Sequence, residues 1–197
     1  MKRTEMMADA EQLAALWCGL AENRDFASLG RAMAVSKARL HAALTVMAGQ
    51  PERHSAFQQA LVAGLAAPQS RVRFECAHAL DQFGDDGVRP ALARLMDDPV
   101  PRVRWMAMHA LSCHACGEKP GALEAEIRER IIDAAAHDPS PQVRRHAAVA
   151  LGLAHETAGA PVLDAMLSRE PDPKTRRMAG WARAELDRAA KAAPPGL

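Results

Sequence analysis

Apolar residues recur along the chain at offsets of 0, +4, +7 and +8 from four starting positions, Val72, Val103, Val143 and Thr175. The segments that carry them align without gaps: SRVRFECAHALDQF (70–83), PRVRWMAMHALSCH (101–114), PQVRRHAAVALGLA (141–154) and PKTRRMAGWARAEL (173–186). Four residues on stand Cys76, Ala107, Ala147 and Ala179, seven on Ala79, Ala110, Ala150 and Ala182, and eight on Leu80, Leu111, Leu151 and, as the exception, Arg183. Offsets of this kind draw one apolar stripe on a 3.6-residue helix. The polar punctuation agrees. Ser140–Pro141 and Asp172–Pro173 read as an N-cap followed by proline in the first turn, and Ser70 is expected to cap the first copy.

A second amphipathic stretch precedes each copy: 57–66, 88–98, 123–138 and 160–170. The unit is therefore helix, tight turn, helix, and a pair this short must stack on its neighbours to bury both faces. The middle interval is the longest, and its extra residues are CHACGEKPG (113–121). Ahead of the repeats, 5–22 and 26–48 read as two further helices.

The strings DDPVPRVRWMAMHALS and HDPSPQVRRHAAVALG resemble the HEAT-repeat family, and within it the short bacterial repeats also found in phycobilisome-lyase-like proteins. The resemblance covers roughly residues 52–190 and implies an all-α fold, an α-solenoid of helical hairpins. The implied organisation is a helical cap over 1–50, repeats over about 52–84, 86–115, 121–155 and 158–190, and a tail over 191–197. It also implies a ladder in which an acid ending the first helix pairs with an arginine opening the second. The matching pairs are Asp98 with Arg104, Asp138 with Arg144, and Glu170 with Arg176, while Ala67 stands where an acid would precede Arg73.

Composition narrows the picture. Ala occurs 43 times, Val, Ile and Thr together 17 times, and Tyr never, which argues against a strand-rich fold. Lys plus Arg is 25 against 24 for Asp plus Glu, a formal +1, and this balance argues against bulk nucleic acid or an anionic membrane as partner. No apolar run reaches the roughly 18 residues of a membrane span. The start MKRTEMMADAEQ turns polar at once and is not read as a signal peptide, so the expected location is cytoplasmic, with Cys18, Cys76, Cys113 and Cys116 as reduced thiols.

Candidate chemistry lies on the second helices. Residues three, six and ten beyond the first core column bring Glu75 and His78, then Met106, His109 and Cys113, then His146, then Met178 and Trp181 to one side. In a HEAT-like stack that side would line an inner curve. The leading expectation is a non-catalytic scaffold or adaptor that binds a protein or peptide through Glu75, His78, Met106, His109, His146, Met178 and Trp181. Trp105 and Cys76 are assigned to the core. A rival is a metal- or redox-responsive module. His109 and Cys113 are one helical turn apart, Cys116 follows, and His78, His114 or His146 would supply a fourth ligand to zinc, copper(I) or iron. A third reading takes the arginines at the second-helix openings as a stripe for nucleic acid. No Gly-rich phosphate loop, GxSxG or HExxH occurs, so no enzyme is expected.

Overall fold

The computed structural model describes residues 3–33, 35–113 and 123–192. Among them are eleven α-helices and no strand: α1 (Arg3–Glu22), α2 (Phe26–Ala32), α3 (Lys37–Ala48), α4 (Pro51–Gly64), α5 (Ser70–Phe83), α6 (Arg89–Arg94), α7 (Pro101–Ser112), α8 (Ala125–His137), α9 (Pro141–Leu153), α10 (Ala160–Arg169) and α11 (Pro173–Ala192). The helices fall into two compact units, residues 1–92 and 93–197. Among the described residues no helix is long and apolar enough to cross a membrane.

In the first unit α1 packs on α2, α3 and α4, and α4 on α5. The expected single helix over 26–48 is two helices. α2 stops at Ala32, and the carbonyl of Ala32 accepts a hydrogen bond from the Trp17 indole at 3.1 Å. Such terminal carbonyls have no partner within their own helix, so the indole takes over that role from α1. Trp17 is fully buried and stacks on Phe57 of α4, with ring centroids 6.3 Å apart.

The second unit has two layers. α7, α9 and α11 lie side by side with α9 in the middle, and α8 and α10 pack against α9 and α11. All four starting positions of the sequence repeat are buried, Val72 in the first unit and Val103, Val143 and Thr175 in the second. Thr175 is tolerated in this column because its hydroxyl is satisfied, 2.8 Å from the Pro141 carbonyl and 2.6 Å from the Asp172 carboxylate. Arg183, the polar exception, turns to Asp164 at 3.0 Å and to Asp187. The first helix over 88–98 is short: α6 is flanked by 3-10 turns at Asp86–Val88 and Leu95–Asp97.

The helix starts depart in part from expectation. Asp172 caps α11, its carboxylate accepting from the Thr175 N–H at 2.7 Å. Ser70 is the first residue of α5 rather than its cap, and the Ser140 side chain makes no cap bond. The acids at the hairpin turns do related work instead. Asp98, Asp138 and Glu170 accept from the N–H groups of Val100, Ser140 and Asp172 at 2.9, 2.8 and 3.0 Å.

α9 and α11 approach closely at Gly152. A Cβ there would stand 2.9 Å from the Cα of Ala182 and 3.1 Å from the Trp181 ring. Backbone cannot step aside as a flexible side chain can. Gly152→Ala is therefore expected to cost about 1–3 kcal/mol. Gly19, inside α1 with nothing within 4 Å of a Cβ, is the control: Gly19→Ala is expected to gain up to about 1 kcal/mol. Urea unfolding of both variants checks the pair, and equal midpoints would refute the close-approach account.

Candidate functional site

The ladder implied by the family resemblance exists, but its register differs. Arg104 donates to the backbone carbonyl of Asp98 at 2.8 Å, not to its carboxylate. Its Nε and Nη2 donate to the carboxylate of Asp138, one hairpin further on, at 2.7 and 2.8 Å. Arg144 repeats this, donating to the Asp138 carbonyl at 2.7 Å and with two bonds of 2.7 Å to the Glu170 carboxylate. Arg176 donates to the Glu170 carbonyl at 2.6 Å. All three arginines thus tie off their own turns through the main chain, and Arg104 and Arg144 also clasp the acid of the following hairpin in a planar fork. Where Ala67 stands in place of an acid, Arg73 still ties off its own turn, donating to the Ala67 and Pro68 carbonyls at 2.9 and 3.0 Å. The Glu170 carboxyl is held below its ordinary range, first by the Arg144 hydrogen bonds, against the opposing effect of burial.

On the other side of the second helices, the row of α7, α9 and α11 in the second unit brings aromatic and imidazole side chains together. Trp105 and His146 stack with ring centroids 4.3 Å apart and planes 13° from parallel. Burial pushes His146 down to about 4, helped by the nearby charges of Arg145 and His109, so it is neutral at ordinary pH. His109, His146, Met178 and Trp181 are all half-buried, each presenting part of its surface to solvent. Trp181 lies over the Gly152 contact.

Met106 is a correction. It is only 2% exposed and belongs to the packed interior, not to a surface that a partner could touch. Its neighbour Trp105, assigned to the core from the sequence, is half-buried and stacked on His146. Alignment could have found it: Phe74, Trp105, Arg145 and Arg177 all stand two residues after the first core column, about 200° around the helix from it. Glu75 and His78 belong to the first unit, on α5, with His78 Nδ1 4.0 Å from the Glu75 carboxylate.

The residues of the metal expectation differ in burial and in the unit that holds them. Cys113 closes α7, its N–H donating to the His109 carbonyl at 2.9 Å, and its side chain is buried. His78 lies in the first unit. Cys116 and His114 fall outside the described residues. Among the described residues, no group of three or more His, Cys, Asp or Glu could hold a metal ion. Cys76 is fully buried, and burial raises its thiol to about 12, which suits a small core residue rather than a ligand.

The first-helix layer of the second unit has the opposite character. A groove of about 690 Å³ there is lined by Asp97, Glu126, Glu129, Asp133, His137 and Asp138 among others. Arg130 bridges it, donating to Asp97 at 2.7 Å and to the Ala93 carbonyl at 2.8 Å.

A family model described as HEAT repeats matches residues 36–125 and 128–195, and it specifies no phycobilisome-lyase subtype. No curated protein matches the chain. Among solved structures, a crystal structure of an engineered protein is similar at 18% identity, covering 91% of this chain and 89% of that one, with a TM-score of 0.46.

Proposed function

Because the chain belongs to the HEAT-repeat family, we propose that it is a non-catalytic scaffold or adaptor that holds a protein or peptide on the second-helix layer. Family membership speaks for a repeat scaffold and leaves the occupant open. The observation that carries the reading is the row of half-buried Trp105, His109, His146, Met178 and Trp181 across three adjacent helices. Tryptophan at a partly solvated surface supplies a large contact area and is enriched among the residues that dominate binding energy at interfaces, and methionine adapts its shape to an irregular partner. The neutral His146 ring adds an apolar face and a hydrogen-bonding edge without adding charge.

The test substitutes the row without disturbing the core. His146→Asp with Trp181→Asp places two carboxylates on the face, while Glu129→Lys alters the groove in the other layer. Photo-crosslinking in extracts of the source cells is expected to capture a partner with the parent protein and with Glu129→Lys. The double variant, verified as folded by circular dichroism, is expected to lose at least about nine-tenths of that capture, as for hot-spot residues. Retention of every crosslinked partner by the folded double variant would overturn the assignment of the face.

A further inference from the structure

We propose that the second-helix layer of the second unit selects an acidic, extended peptide segment with large apolar residues spaced between its carboxylates. This rests on the reading above and deepens it.

The charge distribution points that way. α7 and α9 contain no Asp or Glu at all, and the first acid of α11 is Glu185, which is engaged by Arg188. Arg104 and Arg144 are committed to the ladder. Arg145 is the fifth residue of α9, and Lys174 and Arg177 are the second and fifth of α11, so three cations stand near the starts of the two adjacent helices. The single acid among them, Asp172, is occupied by the N–H and hydroxyl of Thr175. The layer therefore carries cations and aromatic rings with its carboxylates already in use.

Spacing sets the ligand. Packed helices lie about 8–10 Å apart, and an extended chain advances about 3.3 Å per residue. Carboxylates about three residues apart on a strand running across the helices reach Arg145 on α9 and Arg177 on α11. Apolar residues of the same strand fall on Trp181 of α11 and, past Arg145 on the side of α7, on the Trp105–His146 stack. A nucleic acid fits less well. The chain carries a formal charge of only +1, and tight binding of a nucleic acid depends on neutralising many phosphates with Lys and Arg.

The experiment uses the full chain and three fluorescein-labelled probes: a peptide of about twelve residues repeating Glu-Phe-Ser, the same peptide with Lys for Glu, and a thymidine oligonucleotide of similar extended length. Anisotropy is expected to show binding of the Glu peptide and about tenfold or greater weakening by Arg145→Glu with Arg177→Glu. Arg145→Lys with Arg177→Lys is expected to bind within a few-fold of the parent. Thermal melts confirm folding, which both exposed or half-exposed sites permit. Failure of the Glu peptide to bind, equal binding of the Lys peptide, or tighter binding of the oligonucleotide overturns the inference. Binding of the Lys peptide that Trp181→Asp abolishes would sink the acidic preference alone and leave the face as the docking surface.

Discussion

Replacing Arg144 with alanine is expected to lower the unfolding free energy by about 3–5 kcal/mol, because it leaves a buried carboxylate without its partner. The Glu170 side chain is only 4% exposed and Arg144 itself 15%. One guanidinium serves two acceptors on different hairpins, the Asp138 carbonyl and the Glu170 carboxylate. Its loss takes this donor from the Asp138 carbonyl and leaves the Glu170 carboxylate with the Asp172 N–H but no cation hydrogen-bonded to it among the described residues, since Arg176 reaches the Glu170 carbonyl. Arg183→Ala is the contrast, because the acids it meets are more than half exposed, and exposed pairs contribute about 0–1 kcal/mol. Urea titrations of the two variants against the parent check the difference.

Acid provides a second reading of the same bond. The folded Glu170 carboxyl titrates below its ordinary value, mainly through Arg144. Its contribution is complete above that ordinary value and is lost as pH falls through the folded one. The gap between the parent and Arg144→Ala is therefore expected to narrow on going from neutral pH toward pH 3. A gap of under about 0.5 kcal/mol at neutral pH, or one that widens in acid, would contradict the ladder's role.

Trp17→Ala is expected to cost about as much in the first unit, roughly 3–5 kcal/mol. The side chain is fully buried, stacks on Phe57, and holds the end carbonyl of α2. Truncation empties a ring-sized volume and orphans that carbonyl in one step. Trp17→Phe keeps most of the volume and drops the N–H, so it is expected to cost about 1–2 kcal/mol. Hydrogen exchange locates the damage: faster exchange confined to α1, α2 and α4 is the expected pattern. Unchanged protection there in Trp17→Ala would mean that the contact is dispensable.

What the sequence makes legible follows from what a helix repeats. Core columns beginning at Val72, Val103, Val143 and Thr175 are periodic and aligned without gaps, three of them are opened by proline, and each of the four is buried. The ladder register is not periodic information. Arg104 and Asp138 are 34 residues apart and Arg144 and Glu170 26, so choosing the next acid over the near one requires the stacked hairpins. The exchange of Met106 for Trp105 has a similar origin. Adjacent residues differ by about 100° around a helix, and which flank is covered depends on the neighbouring helix. The break between α2 and α3 is set by an indole from α1, a tertiary contact to which local propensity is blind.

The forward-reaching arginine gives the array a direction of reading. A hairpin can be clasped by the arginine of the one before it only if its first helix ends in an acid, and the clasping hairpin's own residue at that site is immaterial. Duplicating residues 121–155 would supply both halves of a new junction, Asp138 to receive and Arg144 to give. Placing another arginine-bearing copy ahead of Ala67 would not, because a methyl group offers nothing to clasp. Grafts in this chain should therefore obey a word order, lengthening it internally without penalty while refusing an addition at that point unless Ala67 is first exchanged for aspartate.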